Sequence, residues 1–123
     1  MTEKKPPLVL VVDDDSAHCL MLATFLEDWS YQSMQVGDGQ KAVEYVRTHP
    51  VDLILMDVRM PVMDGIEATR RVKQFKPKLP VVIMTAYSSV TSAAEALEAG
   101  ASDYLTKPLD FKALKTVMER VLK

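Results

Sequence analysis

The sequence predicts an α/β domain built on a doubly wound parallel sheet, and three observations carry that prediction. Short apolar runs alternate with longer amphipathic segments five times, which is the rhythm of successive βαβ units. Two of the runs, Leu8-Val9-Leu10-Val11-Val12 and Leu53-Ile54-Leu55-Met56, are apolar without interruption, as strands covered on both faces must be. Both end in aspartate, at positions 13–15 and 57, and the carboxyl ends of strands in an open parallel sheet are where ligands bind.

Taken in order, strands are expected at 8–12, 32–36, 53–56, 81–85 and 103–106, with helices at 16–29, 39–48, 65–75, 90–99 and 111–122. Asp15 or Ser16 can cap the first helix, Asp38 the second and Asp110 the fifth, because their side-chain oxygens accept from the unpaired N–H groups of a first turn. Met21, Leu22, Phe25 and Trp29 recur at helical spacing and predict the inward stripe of the first helix, with His18 a packing residue on the same stripe. Ile66, Val72 and Phe75 give the third helix a weaker stripe. Gly100 follows the alanine-rich fourth helix as a left-handed stop. Phe111, Leu114, Met118, Val121 and Leu122 mark the inward face of the fifth. The eight methionines are expected mostly at core positions, as filling.

Composition excludes several classes. A chain of 123 residues suffices for one domain, with residues 1–7 read as a tail and 8–123 as the domain, a fragment of something longer. A net charge of -2 supplies no basic field for nucleic acid. Cys19 is the one cysteine, so no internal disulfide can form, and His18, Cys19 and His49 lack zinc-ligand spacing. With no membrane-length apolar run and no signal-peptide core, the expected location is the cytoplasm.

In a sheet ordered 2-1-3-4-5 the first and third strands are neighbours, so Asp13, Asp14 and Asp57 meet at one crevice, while Asp15 is left to cap the helix. Gathered carboxylates repel one another, and a hard cation offsets them. The chain thus predicts a site for a divalent cation and a phosphoryl group.

Val-Val-Asp-Asp-Asp at 11–15, Met-Asp-Val-Arg-Met-Pro at 56–61, Met-Asp-Gly at 63–65, Met-Thr-Ala at 84–86 and Tyr-Leu-Thr-Lys-Pro at 104–108 together resemble the receiver domains of two-component response regulators, over essentially the whole chain. That resemblance implies a flavodoxin-like (βα)5 fold with Asp57 as the phospho-acceptor. It also implies Mg²⁺ held by Asp14, Asp57 and the Arg59 backbone carbonyl, with Asp13 acting through water. Lys107 would pair with the phosphoryl group, aimed inward by a cis bond at Pro108. The Thr85 hydroxyl would donate to a phosphoryl oxygen, and Tyr104 would be the aromatic switch that follows it. The segments at 13–19, 84–90 and 103–110 are similar to receivers of sigma-54-dependent activators of the NtrC type, especially zinc-responsive (hydrogenase-linked) regulators. Such a receiver implies a sensor histidine kinase as donor and a homodimer on phosphorylation. DNA and sigma-54 polymerase would be reached only through domains absent from this chain, and zinc would be sensed by the kinase. The resemblance implies a self-phosphorylating and self-dephosphorylating switch that would turn over no separate substrate.

Two other classes compete. Asp13-Asp14-Asp15-Ser16-Ala17 approaches the Asp-x-Asp-x-Thr signature of haloacid-dehalogenase phosphatases, in which Asp13 would be the nucleophile, but Ala17 departs from it and no cap segment is present. A pure interaction module that never takes phosphate usually lacks the lysine or an acidic residue, and both kinds are retained here.

Overall fold

Alternation along each strand splits the core into two layers in the computed structural model, which describes residues 6–86 and 90–122. The elements run β1 (Leu8–Val12), α1 (Ser16–Asp28), β2 (Gln32–Val36), α2 (Gly39–Thr48), β3 (Leu53–Asp57), α3 (Gly65–Phe75), β4 (Val81–Thr85), α4 (Val90–Glu98), β5 (Asp103–Thr106) and α5 (Phe111–Val121). All strand pairs are parallel and the sheet order is β2-β1-β3-β4-β5. Leu10, Val12, Ile54, Met56, Val81 and Ile83 point to the face covered by α2, α3 and α4. Val9, Val11, Leu53, Leu55, Val82 and Met84 point to the face covered by α1 and α5. Every one of these side chains is buried, and full burial of a branched aliphatic side chain contributes about 1.5–3 kcal/mol, so the central strands anchor the domain.

The edge strand β2 is different: Gln32, Ser33, Met34 and Gln35 are all exposed, as a polar edge that discourages further pairing should be. Its start is tied to the preceding chain, with the Gln32 N–H and side-chain amide donating to the carbonyls of Pro7 and Pro6 (both 2.9 Å).

Helix caps follow the sequence closely. Asp15 caps α1 by accepting from the N–H groups of Ala17 and His18, Asp38 caps α2 and Asp110 caps α5. Asp64 caps α3 by accepting from the Glu67 N–H, a role not anticipated. Replacing Asp15 with alanine should cost about 1 kcal/mol, readable as a lower urea midpoint with an unchanged slope. Gly100 does adopt the expected left-handed conformation, at φ 110°. The first helix stops at Asp28, one residue short of expectation, and Ser30 takes a left-handed φ of 68° just after it.

Two expectations about packing need correction. Met21 is 41% exposed, because the buried stripe of α1 is Cys19, Leu22 and Leu26, and Met21 lies about 100° round the helix from Leu22. Methionine as core filling holds for Met56, Met84 and Met118, whereas Met34 is exposed and Met60 and Met63 are half-buried. On α3 the stripe is completed by small residues, Ala68 and Thr69, which explains its faint signal; the Thr69 hydroxyl donates back to the Gly65 carbonyl at 2.7 Å.

Candidate functional site

Register places the acidic residues. Val12 pairs with Met56, so Asp13 and Asp57 stand one residue further on, side by side at the carboxyl ends of β1 and β3. The Asp13 N–H still donates to the Val36 carbonyl of β2 (3.1 Å), which continues the ladder past the end of the strand. The chain then turns, and carboxylate oxygens of Asp13, Asp14 and Asp57 all lie within 4.8 Å of one another, with Asp13 and Asp57 buried and Asp14 exposed. Lys107 enters from the loop directly after β5: its Nζ stands 3.0 Å from Asp13 Oδ2 and 3.5 Å from Asp57 Oδ2. The Lys107 N–H donates to the Thr85 carbonyl at 2.7 Å, which fixes the loop after β5 to the end of β4. The Lys107-Pro108 bond is cis, as expected.

The two buried carboxylates are not equivalent. Burial works to raise the Asp13 carboxyl, but the Asp15 N–H (3.0 Å), Lys107 and His18 (2.7 Å) outweigh it and hold Asp13 below the ordinary carboxylate range. For Asp57, burial and then the neighbouring Asp13 charge dominate, and the carboxyl is pushed up to about 6 despite Lys107 and the Val58 N–H at 2.9 Å. Burial also lowers the Lys107 ammonium, but its bonds to the two aspartates leave it above the usual lysine range. Among the described residues, the Lys107 ammonium alone does not balance the three clustered carboxylates. A donor set made only of carboxylate oxygens fits a hard divalent cation.

The remaining predicted residues lie around this cluster. Thr85 is buried at the end of β4. Arg59 joins Asp14, Val58, Met60 and Asp64 in lining an open depression beside the carboxylates. Tyr104 lies outside the carboxylate group, half-buried against the core layer under α2, α3 and α4. Of the segment 84–90, residues 87–89 fall outside the described residues.

Two contributions went unread in the sequence. His18, expected only to pack, turns its ring toward the acidic pocket, with Nδ1 2.7 Å from Asp13 Oδ2 and its side chain 11% exposed. The sole hint was its place one turn after Asp13-Asp14, where a helix begins. Gly65 is the second: a Cβ there would stand 2.0 Å from the Asp57 carbonyl oxygen, so only glycine lets α3 begin against the backbone of the site. Its N–H donates to the Val58 carbonyl at 2.8 Å, pinning the loop after Asp57. Cys19, also buried beside the pocket, is no nucleophile at neutral pH, since burial and then Asp13 push its thiol up to about 11.

Five parallel strands in this order, with acidic residues and a lysine at their carboxyl ends, define a doubly wound α/β domain with a charged site at its topological switch point. The response regulator receiver domain family matches residues 9–119, and the chain belongs to that family: it is a receiver domain of a two-component response regulator. It is 50% identical over 114 residues to the transcriptional regulatory protein ZraR of Escherichia coli K12, an alignment covering 93% of this chain and 26% of ZraR. The regulatory protein AtoC of the same organism is 38% identical over 115 residues, covering 93% of this chain and 25% of AtoC. The chain therefore spans about a quarter of the length of these curated relatives. Among solved structures, the receiver domain of Francisella response regulator 1452 superposes with a TM-score of 0.88 at 31% identity, covering 94% of this chain and 96% of that one.

Proposed function

We propose that Asp57 accepts a phosphoryl group from a sensor histidine kinase and that the resulting acyl phosphate switches the domain. The observation that carries this is the shared lysine, with Nζ within 3.5 Å of both buried carboxylates and already placed to meet added phosphoryl oxygens. Asp57 Oδ1 accepts from the Val58 N–H, which orients the carboxylate and leaves Oδ2 facing Lys107. In the transfer, an Asp57 oxygen forms a bond to phosphorus as the donor's bond to phosphorus breaks, and that electron pair leaves with the donor nitrogen or oxygen. Lys107 meets the phosphoryl oxygens from one side and the Thr85 hydroxyl donates from β4. Asp14, Asp57 and the Arg59 carbonyl would hold Mg²⁺, with Asp13 acting through water, and the ion would supply charge neutralisation for phosphoryl and carboxylate oxygens.

Tyr104 is placed in this reading as the switch ring, moving with Thr85 and altering the surface of α4, β5 and α5, where a second copy would dock. Likeness to part of the sensor histidine kinase GacS of Pseudomonas protegens, 37% identical over 119 residues, supports a kinase donor. Through domains outside this chain, residues 8–123 would control sigma-54-dependent transcription in the cytoplasm, with residues 1–7 a tail. No helix among the described residues is long and apolar enough to cross a membrane.

The test uses a small acyl phosphate as donor, with intact mass as readout. The protein should gain the mass of one phosphoryl group with Mg²⁺ present and none with excess chelator. No gain under either condition would overturn the reading and favour an interaction module.

A further inference from the structure

Asp13 Oδ2 is shared by two donors at once. His18 Nδ1 lies 2.7 Å from it and Lys107 Nζ 3.0 Å from it, while Asp13 Oδ1 accepts the Asp15 N–H at 3.0 Å. The Asp13 side chain is 0% exposed, so each protein donor it keeps counts for more than one at the surface would. Lys107 stands 3.5 Å from Asp57 Oδ2 as well, so phosphoryl oxygens on Asp57 would share with Asp13 the ammonium that now serves both aspartates. A buried carboxylate strongly resists the loss of a cationic partner.

We propose that His18 is a positioning residue for phosphoryl binding: its Nδ1–H keeps Asp13 Oδ2 occupied and so frees Lys107 to engage the phosphoryl group. This rests on Asp57 being the acceptor. The geometry is built from the fold, because His18 sits in the first turn of α1, where its own N–H donates to the capping Asp15 (3.2 Å), and the ring can reach back to the strand end. The Nδ1 edge makes the contact to Asp13, and the amide of asparagine can imitate it.

Beryllofluoride, a phosphoryl mimic that needs no turnover, separates the contributions. In the presence of Mg²⁺, His18→Leu should weaken its binding about tenfold or more, the size of one hydrogen bond to a charged group, and His18→Asn should restore most of the loss. Urea midpoints should not track that order, since leucine fills the space at least as well as asparagine. On the unsubstituted protein, the His18 ring ¹⁵N signals should report a protonated Nδ1 that persists when beryllofluoride binds. Equal binding by the leucine variant, equal losses in both variants, or an unprotonated Nδ1 in the bound state would each overturn the role of His18. If the unsubstituted protein itself binds no beryllofluoride, the acceptor reading fails with it, which distinguishes the two failures.

Discussion

Asp57→Asn should abolish phosphoryl uptake and at the same time make the metal-free domain more stable at pH 7. The first effect follows from removing the acceptor oxygen. The second follows from the Asp57 carboxyl being raised to about 6, by burial and by Asp13, from its value of 3.8 in a free chain. A group whose folded value lies above its unfolded value stabilises the fold below the unfolded value, and that contribution is lost as pH rises through the folded one. The wild type should therefore match the asparagine variant near pH 4 and fall behind it between about pH 4 and 6, with a constant gap above. A rise from 3.8 to about 6 corresponds to about 3 kcal/mol, and solvent reaching the pocket past exposed Asp14 reduces this to about 1–3 kcal/mol. Urea melts in chelator across that pH range provide the check. An asparagine variant less stable than wild type at pH 7 would mean that Lys107 outweighs the burial and the Asp13 charge.

Gly65→Ala should be the most damaging single methyl group that can be added near the site. Its Cβ would meet the Asp57 carbonyl oxygen at 2.0 Å and carbon at 2.8 Å, and the Met56 side chain at 2.9 Å. Two of these three are backbone atoms of a buried central strand, so relief requires moving β3 or the start of α3. Overpacking of this kind costs about 1–3 kcal/mol, and loss of the Gly65 N–H bond to Val58 adds about 1 kcal/mol. The expected result is a urea midpoint lowered by that sum, with slower phosphoryl uptake because Asp57 is displaced. Gly37→Ala is the control: a Cβ there meets nothing within 4 Å, so both readouts should stay near wild type.

Strand and helix positions were legible because burial on two faces forces continuous apolar sequence in β1, β3 and β4, and because aspartate caps announce α1, α2 and α5. The grouping of Asp13, Asp14 and Asp57 was legible for a topological reason, since a 2-1-3-4-5 order makes the first and third strand ends adjacent. What stayed hidden depends on side-chain direction. Met21 and Leu22 are both apolar and adjacent, and only packing decides which faces the sheet. His18 carries two possible partners in its ring, and helical phase alone cannot distinguish packing from a bond to Asp13. Gly65 stood within a recognisable Met-Asp-Gly triplet, but the closeness of α3 to the Asp57 backbone emerges only once both elements are in place.

The most direct measurement locates the phosphoryl group itself. Brief phosphorylation with a small acyl phosphate and Mg²⁺, borohydride reduction of the acyl phosphate and peptide sequencing should place the reduced residue at 57. Reduction at Asp13 instead would contradict the central claim and point to a phosphatase-like nucleophile on the first strand.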